Sequence, residues 1–259
     1  FSDGYRLALV RTNYRTSGPQ RTTTIRVPST QMLGPVLATQ TTDLKPPDSS
    51  HPQIANTHVT DHSEIRPPIQ QPTPLVLASQ SPRRRQLLSE SGYSFQVIAP
   101  SATAECGMCS RETPPELVAR LAKQKAEDVA RRLTEGAVIG CDTVAVCRGH
   151  VLGKPQDRKH AREMLCLMRG REHSVYSGLC LWLRPQDEFD VRVEHTRLQM
   201  IELSDRELES YLDTNLWEGK AGAFGLQDRL GWIEIIEGSE TNVVGLPMEL
   251  LKKMFADCL

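Results

Sequence analysis

LVLASQSPRRRQLL, from Leu75 to Leu88, is the stretch from which the fold can be read. Leu75, Val76, Leu77 and Ala78 form a short apolar run that fits a buried strand. Ser79-Gln80-Ser81 breaks it. Ser81 suits an N-cap, and Pro82 falls where the first helical residue needs no hydrogen-bonded N–H. Arg83, Arg84 and Arg85 follow in the first turn, and Leu87 and Leu88 begin an apolar face. Cations in a first turn oppose the helix dipole. They cost stability unless an anion sits on the free N–H groups of the same turn. A strand, a hydroxyl-bearing turn and a helix opening on arginines therefore read as a phosphate site. Solvated surface charge, the alternative, leaves unexplained why the cations stand where helix physics disfavours them.

Upstream of this stretch the composition changes. Residues 1–74 are rich in Thr, Ser, Pro and Gln, and PPDSSHPQ and RPPIQQPTP read as linker. This segment is expected to be a disordered or non-native N-terminal extension, with a composition that overlaps a transit peptide. Residues 75–259 are the folded unit, with 24 basic and 27 acidic side chains. Over the whole chain 31 Lys and Arg balance 32 Asp and Glu, which argues against coating a nucleic-acid polymer or a membrane surface. No apolar run approaches the roughly 20 residues of a spanning helix. Seven cysteines, an odd number, several inside apolar runs, point to a reducing compartment, and a cytoplasmic location is expected.

Downstream, strand and helix patterns alternate. Tyr93 to Ala99 suits a second strand. Thr113-Pro114-Pro115-Glu116 is a capping box that opens a helix with Val118, Leu121, Ala122 and Val129 on one face. Lys125 shares that face, either snorkelling to its edge or pointing into a polar cleft. Ala137 to Cys147 is the next strand, apolar except for Gly140, Asp142 and Thr143. An unpaired buried carboxylate is expensive, so Asp142 is expected to have a cation, a metal or several donors beside it, or to line a cavity. Lys154 follows in the turn Gly153-Lys154-Pro155. Asp157 caps a helix whose Met/Leu stripe reads as core. Three strand-like stretches follow: Ser174 to Arg184, Val191 to Arg197 and Leu198 to Leu203. A lone His173 reads as a structural hydrogen-bonder. Ser204 to Glu207 is a second capping box. WEGKAGAFGLQ (217–227) suggests a close backbone approach. Residues 238–242 read as a loop, and Pro247 starts the last helix.

LASQSPRR (77–84), LAKQKA (121–126), GCDTV (140–144), GKP (153–155), GREHSVYSG (170–178), KAGAFGLQ (220–227) and NVVGLP (242–247) stand in one order at workable spacings. Through them residues 75 to about 256 resemble the Maf family of nucleotide pyrophosphatases. The resemblance implies a mixed α/β fold, with a central elongated sheet flanked by helices and a cleft between two lobes. It implies hydrolysis of nucleoside triphosphates between the α and β phosphates, with a divalent metal, Mg²⁺ or Mn²⁺. It implies Asp142 as the catalytic carboxylate, either as proton acceptor or as metal ligand. The residues fit such chemistry, which needs cations, a metal and a carboxylate. Ser79, Arg83, Arg84, Lys125 and Lys154 supply hydroxyl and positive charge. Glu105 is the candidate second acidic group at the metal. The stretch around it, PSATAEC, is poorer in acids than the family pattern. Members resembling the dTTP and UTP enzymes carry Arg after Ser-Pro, Thr after the catalytic Asp and Gln closing the KAGA segment. Arg83, Thr143 and Gln227 match all three, and an amide can present an acceptor and donors to a pyrimidine edge. A homodimer is reasonable by the same resemblance.

Three other readings stay open on the sequence. One is a pyrophosphatase for modified nucleotides such as methylated GTP. A second is a nucleotide-binding regulator of septum formation with weak catalysis. The third is a redox or metal-binding module on Cys106-Gly107-Met108-Cys109, for which no second C-x-x-C completes a zinc site.

Overall fold

The structure, a computed structural model, describes residues 5–9, 24–28, 71–72, 74–104, 112–228 and 230–258. The chain divides into two compact units: Phe1–Ser29 with Gln70–Leu259, and Thr30–Ile69. The latter lies outside the described residues, as does most of the segment read as an N-terminal extension. Two short strands of that segment are described, β1 (Tyr5–Leu9) and β2 (Thr24–Pro28).

From Leu75 the elements run β3 (Leu75–Ala78), α1 (Pro82–Glu90), β4 (Gln96–Val97), α2 (Pro114–Ala130), β5 (Gly136–Cys147), β6 (His150–Leu152) and α3 (Arg158–Met168). They continue with β7 (Glu172–Arg184), β8 (Glu188–Met200), α4 (Asp205–Asp213), β9 (Ile233–Glu237), α5 (Glu240–Val244) and α6 (Met248–Cys258). The strands form one mixed sheet in the order β1-β2-β8-β7-β5-β3-β4, with β6 beside β5 and β9 beside β8. β3 is parallel to both β4 and β5, whereas β7, along the long centre of the sheet, is antiparallel to both its neighbours, β5 and β8.

β3 shows why its run carries no alternation. Leu75 and Leu77 enter the core shared with Leu251 and Met254 of α6, while Val76 and Ala78 enter the core shared with Val118, Ala122 and Ala126 of α2. A strand covered on both faces has no polar side to show. A third cluster, under α3 and α4, joins Met164, Leu165 and Met168 to Leu198, Leu208 and Leu212.

Helix α2 approaches the sheet closely, and two glycines make that possible. A Cβ at Gly140 of β5 would collide with the Ala122 carbonyl oxygen. One at Gly178 of β7 would collide with the Val118 carbonyl oxygen. The two helix ends most clearly marked in the sequence form as expected. Glu116 accepts from the Thr113 N–H (2.9 Å) at the head of α2, and Glu207 accepts from the Ser204 N–H (2.8 Å) at the head of α4.

Three expectations are corrected. The strand expected over Tyr93–Ala99 is only Gln96–Val97, because Tyr93 is drawn down against the Phe255 ring instead of extending. The stretches expected to break between Arg197 and Leu198 are one strand, β8, and the irregularity there is a register shift against β9. Residues 238–242, expected as a loop, contain the start of α5, where the Ser239 hydroxyl accepts from the Asn242 N–H.

Replacing Gly178 with Ala forces the added methyl into the α2 backbone. Gly178→Ala is expected to lower unfolding free energy by about 1–3 kcal/mol, the range for overpacking a tight contact. An unchanged urea midpoint would show that α2 can stand off from β7.

Candidate active site

β3 pairs with residues 137–140 of β5, and β6 pairs with residues 145–147. Between them, Cys141 to Val144 have a ladder partner, among the described residues, only in β7. At this gap side chains from both faces of β5 reach one space. A pocket of about 580 Å³ opens there, beyond the carboxyl end of β3 and at the first turn of α1. Ser79, Arg83, Arg84, Lys125, Asp142, Thr143, Lys154 and Gln227 all line it, so the described sequence-derived candidates converge on one site. Glu105 lies outside the described residues, as do Cys106 and Cys109.

Asp142 faces α2, in line with Val138, Gly140 and Val144. Its Oδ1 accepts from the Lys125 ammonium at 2.7 Å, with both side chains largely buried. The lysine on the apolar stripe therefore turns into a polar cleft. Among the described residues Asp142 Oδ2 takes no hydrogen bond.

Thr143 faces the other side, where Arg84 gathers three segments. Its Nη1 donates to Ser79 Oγ (3.1 Å), its Nη2 to Thr143 Oγ1 (3.3 Å), and its Nε to the Gly245 carbonyl oxygen (2.8 Å). Thr143 Oγ1 also lies 2.7 Å from Ser177 Oγ. Ser81 occupies the N-cap of α1, but its side chain makes no capping hydrogen bond. Helix geometry leaves the first-turn amides without intrahelical acceptors, and here the N-cap serine leaves them uncovered. Arg83 donates to the Gly219 carbonyl oxygen (2.8 Å), and burial followed by the neighbouring Arg84 charge lowers its pKa. Lys154 is exposed along the lining.

The opposite wall is the segment after α4. Lys220, buried, donates to Asp228 Oδ1, while Tyr211 of α4 donates to Asp228 Oδ2 (2.8 Å) or to the Ala223 carbonyl oxygen (3.1 Å). Burial lowers the Lys220 pKa, and the Asp228 charge opposes that shift. Burial and Asp228 raise the Tyr211 pKa. The Gln227 amide lies over Gly225, where a Cβ would strike it. Apolar lining comes from Met168, Val175, Leu198, Phe224 and Ile233, and His173 stands among them. Its Nδ1 is 3.5 Å from the Arg171 carbonyl oxygen, and burial lowers its pKa.

Sequence reasoning did not single out Asp228, Tyr211 or Ser177, and it met Lys220 only as part of a glycine-rich segment. Asp228 and its partners are 8 and 17 residues apart in sequence, outside any local rule. Ser177 does have a visible signal, since it stands opposite Thr143 once β5 and β7 are paired. Among the described residues, no group of three or more His, Cys, Asp or Glu could hold a metal ion, and no helix is long and apolar enough to cross a membrane.

Residues 74–258 match the family model described as Maf-like protein. A dTTP/UTP pyrophosphatase of Rhodopirellula baltica is 56% identical over 184 residues, covering 71% of this chain and 81% of that protein. Proteins of the same name from Geotalea uraniireducens and Carboxydothermus hydrogenoformans are 41% and 42% identical, covering 67% and 68% of this chain and 89% and 94% of theirs.

His173 provides a pH test of the pocket. Burial holds its folded pKa below the unfolded value, so the unfolded state takes up the proton first as pH falls. Stability is full above the unfolded pKa and declines as pH drops towards the folded one. His173→Gln is expected to show a smaller fall in urea midpoint between pH 7 and pH 5 than the wild type. His195, also lowered by burial, leaves a residual fall in both. Equal falls would mean that His173 is not desolvated.

Proposed function

This chain belongs to the Maf family, and on that premise we propose that it hydrolyses dTTP and UTP to the nucleoside monophosphate and pyrophosphate. The observation that carries the reading is Asp142, paired with Lys125, in a pocket that the arginine-bearing head of α1 also lines. Water attack opens the phosphoanhydride bond between the α and β phosphates. One new P–O bond forms, the bond to the pyrophosphate oxygen breaks, and the water proton passes to Asp142 Oδ2. The leaving pyrophosphate carries the displaced electron pair as negative charge. The uncovered amides of α1, Arg83 and Lys154 meet that charge, an arrangement that counts most where water is excluded.

A divalent cation, Mg²⁺ or Mn²⁺, is part of this proposal. Asp142 is the described carboxylate that would hold it, together with substrate phosphate oxygens and water, and Mg²⁺ commonly binds through one or two carboxylates plus phosphates. When bound, the ion would withdraw charge from the phosphates. Asp142 as proton acceptor and Asp142 as metal ligand remain two versions of one site.

The apolar wall of Phe224, Val175 and Ile233 suits a base, and Gln227 supplies the polar edge. Uracil and thymine offer an acceptor at O4 and a donor at N3, which an amide can meet with its NH₂ and its oxygen. The proposal includes a reducing, cytoplasmic setting, supported by five free cysteines among the described residues. It also includes a homodimer, to be read from the mass of the protein in solution.

Pyrophosphate release is measured across standard and modified nucleoside triphosphates, with Mg²⁺ or Mn²⁺. Asp142→Asn is expected to lower turnover of dTTP by about 10³-fold or more while dTTP binding is retained. Wild-type turnover in that variant would remove Asp142 from the chemistry. Gln227→Ala is expected to lower the preference for dTTP over dCTP by about tenfold. Equal loss on both would refute base reading by Gln227, and a wild-type preference for a methylated guanine nucleotide would overturn the pyrimidine assignment.

A further inference from the structure

A glutamine amide selects between thymine and cytosine only if it is held one way round. Thymine presents O4 as acceptor and N3–H as donor, and cytosine presents the reverse, a donor at N4 and an acceptor at N3. Turned by 180°, the same amide fits the wrong base. An amide can be held one way round only from a backbone that is itself held, so selectivity depends in part on what fixes the turn that carries Gln227, and this inference rests on the base-reading role given to Gln227 above.

We infer that Asp228 is the positioning residue for Gln227: its carboxylate is fastened between the Lys220 ammonium and the Tyr211 hydroxyl and locks the 225–228 turn against α4. Each carboxylate oxygen has its own partner. Oδ1 takes Lys220 Nζ and Oδ2 takes the Tyr211 hydroxyl, and the Asp228 side chain is only 4% exposed. The backbone closes the same turn, with the Asp228 N–H donating to the Gly225 carbonyl oxygen at 3.0 Å. Gly225 in turn is the residue over which the Gln227 amide lies. Tyr211 is itself packed in place. It is buried, and its ring packs against Phe224 and Trp232 at centroid separations of 5.4 and 5.3 Å. The chain of contact thus runs from the core under α4, through Asp228, to the amide at the pocket. Asp228 does not line the pocket, so it acts through Gln227 and not on the nucleotide.

The carboxylate also has an electrostatic effect, and the test separates the two. Asp228 opposes the lowering that burial imposes on the Lys220 and Arg83 pKa values, and loss of its negative charge alters the electrostatics offered to any triphosphate. That change is common to dTTP and dCTP, which share the same triphosphate and sugar, and it cancels in the ratio of their affinities. Asparagine separates shape from charge. Its oxygen can face Lys220 and its NH₂ can face Tyr211, whose own O–H then donates to the Ala223 carbonyl oxygen. Every contact survives without the charge.

The experiment is equilibrium binding of the non-hydrolysable α,β-methylene analogues of dTTP and dCTP, so that turnover is not the readout. Asp228→Ala is expected to lower the thymidine-over-cytidine ratio by about tenfold, and Asp228→Asn to keep it within about twofold. In a Gln227→Ala background, Asp228→Ala is expected to change the ratio no further, because a residue that acts only through another has nothing left to position. A folded Asp228→Ala with the wild-type ratio, an Asp228→Asn as poor as the alanine, or a further loss in the Gln227→Ala background would each overturn the inference. Should Asp228→Ala fail to fold by thermal melting, Tyr211→Phe removes one of the two fastenings. It is expected to lower the ratio by about threefold, and an unchanged ratio would overturn the inference. A wild type that binds thymidine selectively but releases no pyrophosphate overturns the proposed reaction and leaves the role of Asp228 standing.

Discussion

The contact between Lys125 and Asp142 depends on two missing side chains. Helix α2 carries the lysine and β5 carries the carboxylate, so their meeting requires the helix to lie almost on the sheet. Gly140 and Gly178 sit on that face of neighbouring strands, and the α2 carbonyl oxygens occupy the space that Cβ atoms would need. The lysine stands among Ala122, Ala126 and Val129 in an apolar seam, where a buried cation needs an acceptor, and Asp142 supplies one. Each partner offsets the burial of the other, which is why neither is tolerable alone. The rest of the site is arranged around this fixed point.

A gap in the sheet turns that point into a pocket. β3 ends at Ala78, beside Gly140, and β6 ends at Leu152, beside Ala145, so among the described residues β5 has a bare edge between them. Asp142 and Thr143 point to opposite faces, as neighbours in a strand must. Both still line the same space, because among the described residues no strand separates the faces there. Arg84 closes the far side by holding Ser79, Thr143 and Gly245 together, a three-way contact that uses the full fork of a guanidinium.

Much of this was legible in the sequence because it follows local rules. The run 75–78, the proline at the head of α1, both capping boxes and the anomalous Asp142 depend on residues a few positions apart. The family motifs extended that reading by gathering residues that no spacing rule connects, and seven of the named side chains besides Asp142 line the same pocket. What escaped was non-local. The Tyr211–Asp228–Lys220 fastening joins residues whose sequence neighbours give no sign of it. Tyr93 was misread because its packing on Phe255, far away in the chain, overrides an extended pattern. β8 runs unbroken through Arg197 and Leu198 because it pairs with β7 across that point, a contact that the sequence does not display.

The partners of the cations divide the labour at the site. Arg84 is spent on three protein acceptors, Lys220 on Asp228, and Lys125 on Asp142. Among the described residues, five Lys and Arg side chains line the pocket, yet most of their charge is already directed inward, to hold walls in place. Arg83 has one carbonyl contact, and Lys154 is exposed. The head of α1 adds amides whose N-cap serine leaves them uncovered. In the proposed reaction, recognition of a phosphate chain falls to these three: an arginine already partly desolvated, a lysine in water, and backbone N–H groups. The cluster Arg83-Arg84-Arg85 consequently is not one basic patch. Arg84 builds the site, Arg83 faces the pocket, and Arg85 stays exposed at the surface, although helix physics counts all three alike against the dipole.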